Sequence, residues 1–456
     1  VLSPPARPPT RPPARLTTRL TTRLTTRPGA HMSAAPEPLV VDRPFSDEDL
    51  SSSEFWAQPF DVRDQTFARL RRTAPVSWHP PRDTPEVPRE YWREGFWAVV
   101  SHADITTASH HHELYSSSLD SGGILMRAQH PAYRPGPTFI LMDPPEHTRY
   151  RQVMSKAFTP RSVARLTDQI NARAEQIVRG LVGAGEFDVV RDLSSPLPML
   201  TVADLLGVPE SLVEPFARAG NNTVGSHDPD VLPPGVSPLD FVRDNMAALQ
   251  QIGVDLVEHR RRRPSDDLAT ALAEAELDGQ PLSHAELGSI MLLLSIAGND
   301  TTKQTNSHTV RSLWQHPDQR AWLAEDFAGR IGPSVEEFLR HAATVIHFAR
   351  NATQDTELGG QHIRAGDQVV LFYCSGNRDE SVWDEPGRFD LARPRRPHVG
   401  FGGGGVHYCL GNGIAKTQLR AIFSQVLTQL PHLEVGEPAY LNSDLFNGMK
   451  RLPAVA

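Results

Sequence analysis

The stretch Phe401-Gly402-Gly403-Gly404-Gly405-Val406-His407-Tyr408-Cys409-Leu410-Gly411 decides how this chain is read. Four consecutive glycines permit positive φ and let the backbone approach something flat or bulky. Beyond Cys409, as far as residue 430, the apolar residues recur at helical spacing, so the cysteine precedes a helix. Its sulfur then sits near backbone N–H donors and the positive helix end, and both favour the thiolate. A thiolate is a metal ligand, and no nearby second cysteine completes a zinc or iron–sulfur site. Two plainer readings stand beside this one. The segment is also compatible with a glycine loop carrying an inert buried cysteine. Gly400-x-Gly402-x-x-Gly405 formally matches a dinucleotide fingerprint, but no βαβ unit precedes it and no acid follows about 20 residues on.

Working outward, Ser283-x-x-Glu286 has the form of a capping box and opens the strongest helix, over 283–314. Its middle (Ile290, Met291, Leu292, Leu293, Leu294, Ile296) is apolar nearly all round, which predicts burial. Immediately after come Ala297-Gly298-Asn299-Asp300-Thr301-Thr302. An acid, an alcohol and a glycine in mid-helix break the local rules, and such breaks often mark function. The plainer alternative is a kink with a threonine bonding back onto the helix. Helices are also predicted at 160–181, 196–207, 240–263 and, after Pro333, 334–343. Loops are predicted at 122–137 and 221–238. Strands are expected at 97–100, paired with 75–78, and within 344–373 around a Gly359-Gly360 turn. The fold class is mainly α with a minor β region.

The 456 residues carry 46 Lys+Arg and 54 Asp+Glu, a net charge of −8. Six arginines and no acid lie in 1–31, so the remainder holds 40 bases against 54 acids, or −14. An acidic body disfavours nucleic acid, itself a polyanion. The longest apolar run, 290–297, is far short of the roughly 20 residues of a membrane span. Two cysteines, Cys374 and Cys409, exclude a disulfide scaffold and suit a reducing cytoplasm. Residues 1–38 read as a disordered, low-complexity leader, with 1–31 upstream or cloning-derived. Residues 39–456 read as one domain.

The cysteine segment resembles that of the cytochrome P450 family. Phe401, Gly402, Gly405, His407, Cys409 and Gly411 fit the family's pattern, although Phe401 stands eight residues before the cysteine where seven is usual. Three more signatures follow the family's order: 297–302 on the long helix, Glu337-x-x-Arg340 with Arg393 as second arginine, and His147-x-x-x-Arg151. The longer spacing and the glycine run resemble an actinobacterial branch that oxidises sterols and methyl-branched lipids.

That resemblance implies haem b, enclosed between the long helix and the cysteine loop, with the Cys409 thiolate as axial ligand favouring cleavage of the O–O bond. Ala297, Gly298, Phe401, Gly402 and Gly411 would lie against it, the glycines admitting its flat face. It implies that His147, Arg151, Arg350 and His407 hold the propionates. Asp300 and Thr301 are implied as the acid–alcohol pair that delivers protons. Glu337, Arg340 and Arg393 are assigned to a buried structural ion network. Arg350 is expected to follow a strand over 345–349. Leu293, Ile296, Ala297, Val345, Ile346 and Phe348 are expected to line the substrate pocket, with walls from 122–138 and 221–238.

The expected activity is insertion of one oxygen atom from O2 into a C–H bond of a hydrophobic substrate, a methyl-branched lipid or sterol side chain. A secondary-metabolite hydroxylase acting on a macrolide or terpenoid is the alternative, and a thiolate-haem sensor is the reading of another class. No reductase domain is visible, so electrons would come through a ferredoxin and an NAD(P)H-dependent ferredoxin reductase. Arg393, Arg395, Arg396, Lys416 and Arg420 are expected to form a basic docking patch. His110-His111-His112-Glu113 reads as a solvated surface and Cys374 as a strand residue.

Overall fold

The computed structural model describes residues 43–85, 87–129, 136–155, 160–224, 226 and 230–456. The leader at 1–38 lies outside the described residues, as do parts of the 122–138 and 221–238 walls.

Helix dominates, and the elements surround one long central helix, His284–Gln315. Its start is set by the expected capping box: Ser283 Oγ accepts from the Glu286 N–H, and the Ser283 N–H donates to the Glu286 carboxylate at 2.7 Å. Helices Pro196–Leu206, Glu210–Val224, Pro238–Arg262, Phe327–Ala342 and Asn412–Gln429 pack around it. Their apolar faces meet in one large core that includes Leu206, Leu249, Met291, Leu313, Phe338 and Phe423.

The central helix departs from the predicted burial. Ile290, Met291, Ser295 and Asn299 are covered, but Leu292, Leu293, Leu294 and Ile296 stay partly accessible and Ala297 is exposed. The surrounding helices cover one flank and leave an apolar stripe uncovered. Gly298 does not interrupt the helix. A Cβ there would stand 2.4 Å from Val202 Cγ2, so the glycine lets the Pro196–Leu206 helix approach.

Other boundaries also move. Residues 221–224, expected in a loop, continue the Glu210–Val224 helix. Gly220 lies against Ser295 and Asn221 bonds Asn299, so tertiary contacts carry the helix past its polar residues. The Phe327–Ala342 helix begins earlier than expected and keeps Pro333 inside it.

A five-stranded sheet covers one side, in the order Val76–His79, Phe96–Val99, Gln368–Leu371, Phe348–Ala352, Tyr115–Ser116. The first pair is antiparallel with Val76 opposite Val99, and Val369 pairs in parallel with Trp97. The Gly359-Gly360 turn is present, with φ of 55° and 74°, between Thr356–Leu358 and Gln361–Ile363. Arg350 sits inside a strand rather than after one. Cys374 lies on a buried helical turn, Tyr373–Gly376, not on a strand. Among the described residues no single helix is long and apolar enough to cross a membrane.

Candidate functional site

The cysteine loop is built on left-handed glycines. Gly402, Gly403, Gly404 and Gly405 have φ of 100°, 73°, 104° and 69°, values that residues with a Cβ adopt only under strain. The run packs against the end of the His102–His110 helix. A Cβ on Gly405 would fall 1.9 Å from the Ser109 carbonyl oxygen, and one on Gly404 would strike the His110 ring. Gly403, Gly404 and Gly405 therefore let the loop press close against that helix, a use the sequence reading did not foresee.

Cys409 is anchored at its backbone. Its N–H donates to Phe401 O at 3.1 Å, and its carbonyl accepts from Asn412 Nδ2 at 2.8 Å. Phe401 is buried, edged by Tyr408 and overlain by the Lys416 ammonium. Burial raises the Cys409 thiol, and the Gly411 N–H and Arg151 charge only partly offset it. In this setting the protein dipoles alone favour the neutral thiol over the thiolate expected from the sequence.

Four basic side chains converge on this loop. The His147 and His407 rings stand 4.6 Å apart, centroid to centroid, in a T-shaped pair. Arg151, one turn beyond His147 on the Glu146–Ser155 helix, donates to Tyr408 O at 2.6 Å. Burial, followed by the charges of Arg350, His147 and Arg151, pulls the His407 imidazole down to about 2. Burial, then Arg151, lowers His147 to about 4. Both ring nitrogens of His147 and Nε2 of His407 are buried without a partner among the described residues. Asp143 acts on His147 from nearby, but it accepts from Ser116 Oγ and the Ser117 N–H. A buried knot of donors that repel one another fits a group bearing carboxylates, as haem does. Sequence reasoning missed Phe139, which stands edge-on to His147 and beneath the Arg151 guanidinium.

On the central helix, Asp300 is buried and ion-paired with Lys303, and its Oδ2 has no partner among the described residues. The Thr301 hydroxyl donates back to Ala297 O at 2.9 Å. This is the back-bonding of the plainer reading, present in an unbroken helix. Ala297, Leu293 and Ile296 belong to the uncovered stripe.

The remaining pocket residues divide. Val345 and Phe348 are partly accessible, but Ile346 is fully buried in the cluster of Phe55, Trp56 and Phe372. Ile346 is therefore core, because the bridge between Val345 and Phe446 turns its neighbour to the other side. Glu337 accepts from Arg340 twice at 2.7 Å, with Arg393 at 3.5 Å. That geometry removes Arg393 from the expected basic patch. Arg395, His398 and Lys416 all pair with Glu336, whose carboxyl is pulled down to about 2, chiefly by the His398 and Lys416 contacts working against burial. No group of acids, histidines and cysteines able to hold a metal ion by itself occurs among the described residues, the 110–113 cluster included.

Comparison with known proteins gives these residues a context. The family model described as Cytochrome P450 matches residues 239–438. The chain is 38% identical over 427 residues to the methyl-branched lipid omega-hydroxylase of Mycobacterium tuberculosis, covering 92% of this chain and 97% of that one. It is 37% identical over 420 residues to the linalool 8-monooxygenase of Pseudomonas putida, covering 89% and 98%. Among solved structures, a Mycobacterium marinum cytochrome P450 in complex with pseudoionone superposes with a TM-score of 0.85 at 43% identity, covering 91% of this chain and 99% of that one.

Proposed function

The chain belongs to the cytochrome P450 family of monooxygenases, and from that premise we propose that it hydroxylates a methyl-branched hydrocarbon chain, as in a branched lipid, an acyclic terpenoid or a sterol side chain. The observation that carries this is the apolar stripe Leu292–Leu294, Ile296 and Ala297, left uncovered in mid-helix just before Asp300 and Thr301. Such a surface offers dispersion and desolvation to a hydrocarbon and little to a glycosylated macrolide.

Family membership implies haem with a cysteine thiolate ligand, and the residues fit it. Cys409 is the proposed thiolate ligand, its backbone held by Phe401 O and the Asn412 side chain. His147, Arg151, Arg350 and His407 would supply donors for the propionates, where ring nitrogens of His147 and His407 lie buried without a partner among the described residues. Ala297, Gly298, Phe401, Gly402 and Gly411 are the segments proposed to border the macrocycle. When bound, haem supplies the iron centre at which dioxygen is activated, and that chemistry is the cofactor's own.

The chain's part is positioning and proton supply. Asp300 Oδ2, without a partner among the described residues, is the carboxylate oxygen proposed to take a proton, and Thr301 Oγ1 keeps lone pairs for a water while its hydrogen goes to Ala297 O. The partly accessible apolar residues hold substrate and exclude water. Glu337, Arg340 and Arg393 keep the region behind the cysteine loop in shape.

Electrons are proposed to come from a ferredoxin reduced by an NAD(P)H-dependent reductase. Its docking surface centres on Arg396 and Arg420, with Arg395 and Lys416 partly neutralised by Glu336. The reducing cytoplasm is the proposed compartment, with Cys374 and Cys409 both free. Spin-state titration against methyl-branched fatty acids, linalool, sterols and macrolides tests the substrate class. Branched chains should shift the Soret band and yield hydroxylated product; a response confined to macrolides overturns the proposal. Cys409→Ser should abolish the red-shifted band of the reduced CO adduct.

A further inference from the structure

Asp300 and Lys303 stand three residues apart on the central helix and pair through Oδ1 and Nζ. Their side chains are only 7% and 13% exposed. Withdrawing two charges from water is costly, so a pair held here requires well-fixed geometry. The other carboxylate oxygen, Oδ2, is buried and has no partner among the described residues.

The backbone on both sides is pinned. Asn299 Nδ2 donates to Asn221 Oδ1 at 2.9 Å, fastening this turn to the Glu210–Val224 helix. Gln304 forms a two-way clamp with Met449, donating to its carbonyl at 3.0 Å and accepting from its N–H at 2.7 Å. Lys303 O accepts from Ser307 Oγ at 3.0 Å. Other charged or titratable groups close to this stretch are engaged elsewhere: His308 with Asn447 O, and Lys450 with Asp230. Among the described residues the Asp300 side chain therefore has one ionic handle on an otherwise fixed frame.

We propose that Lys303 is the positioning residue of the proton relay: it grips Asp300 by Oδ1 so that Oδ2 is the oxygen that takes a proton and passes it toward Thr301. The inference rests on the relay reading of Asp300 and Thr301. The proton enters Oδ2 from solvent, the Thr301 side receives it, and the carboxylate is restored. Lys303 takes no part in the transfer itself, and no further reactant is needed. An ammonium on a flexible stem suits this role because it meets one oxygen as a point charge and leaves the second bare.

The test compares Lys303→Met, which keeps the stem and removes the charge, with Lys303→Arg in the haem-loaded enzyme. Lys303→Met should lower product per reducing equivalent by roughly tenfold, enlarge the solvent isotope effect and leave the substrate spin-state titration unchanged. Lys303→Arg, which keeps the charge but can fork onto both oxygens, should restore coupling only in part. In thermal unfolding, Asp300→Asn and Lys303→Met together should cost less than the sum of the two alone. If Lys303→Met does not fold, Lys303→Gln takes its place. Native coupling in the Met variant, or an Arg variant no better than it, overturns the inference while Asp300→Asn and Thr301→Ala still uncouple. If those two variants themselves couple normally, the relay reading falls and this inference with it.

Discussion

Replacing Glu337 by glutamine should destabilise the protein by about 3–5 kcal/mol, although the substitution is nearly isosteric. Glu337 is 5% exposed and Arg340 2%. Its Oε2 accepts from Arg340 Nε at 2.7 Å; its Oε1 accepts from Arg340 Nη2 at 2.7 Å and from the Asp390 N–H at 3.0 Å. Arg393 Nε adds an ion pair at 3.5 Å. All of these neighbours are donors, so the glutamine NH2 meets a donor in either flip. At least one charge-assisted bond is lost, about 1.5–3 kcal/mol, and a buried N–H is left unsatisfied at about 1–3 kcal/mol. Arg340 cannot leave, because it also donates to Asn377 O at 2.8 Å and Pro386 O at 2.7 Å. Against a total stability of about 5–15 kcal/mol the loss is large. The adjacent Glu336→Gln is the control. Glu336 pairs with Arg395, His398 and Lys416 but is partly open to water, where screening weakens such pairs, so its loss should cost less than that of Glu337. Urea unfolding followed by circular dichroism, with the CO-difference band read in parallel, measures both. Equal costs for the two glutamates, or less than about 1 kcal/mol for Glu337→Gln, would refute the burial argument.

Two further outcomes follow from geometry already described. Gly405→Ala forces a Cβ to within 1.9 Å of Ser109 O at positive φ and should abolish haem incorporation, whereas Gly413→Ala, in a helix with open space around it, should be neutral or slightly stabilising; haem content by absorbance decides between them. His79 and His347 are buried and His308 is half-buried; desolvation lowers all three to about 4, so the unfolded chain binds more protons between pH 4 and about 6.5. Stability contributed by these groups is complete above pH 6.5 and is lost as pH falls toward 4, up to about 3 kcal/mol each. Unfolding free energies that stay flat between pH 7 and 4.5 would contradict this.

The central helix, its capping box and the helix after Cys409 were legible in the sequence because each rests on local spacing. The convergence of His147, Arg151, Arg350 and His407 was legible only through family resemblance, since His147 and Arg151 share a helix but Arg350 and His407 lie elsewhere in the chain. What escaped was set by distant partners. Gly298 reads as a breaker until Val202 is seen against it, and Asn221 reads as loop until it meets Asn299. Ile346 and Val345 look alike in sequence, yet a bridge to Phe446 separates their surroundings. Arg393 has the composition of a docking cation and the contacts of a structural one.

The five-stranded sheet sets a schedule for the chain's birth. Phe96–Val99 can pair at once with Val76–His79, but its parallel partner Gln368–Leu371 and the strand Phe348–Ala352 beyond it come more than 250 residues later. At roughly 5–20 residues per second, the ribosome needs tens of seconds to deliver them. For that interval an apolar hairpin presents an open edge to every other nascent chain in the cell. The protein's yield on expression is therefore governed by what shields that edge during translation, and slowing synthesis between residues 100 and 348 should lengthen the exposure and lower recovery.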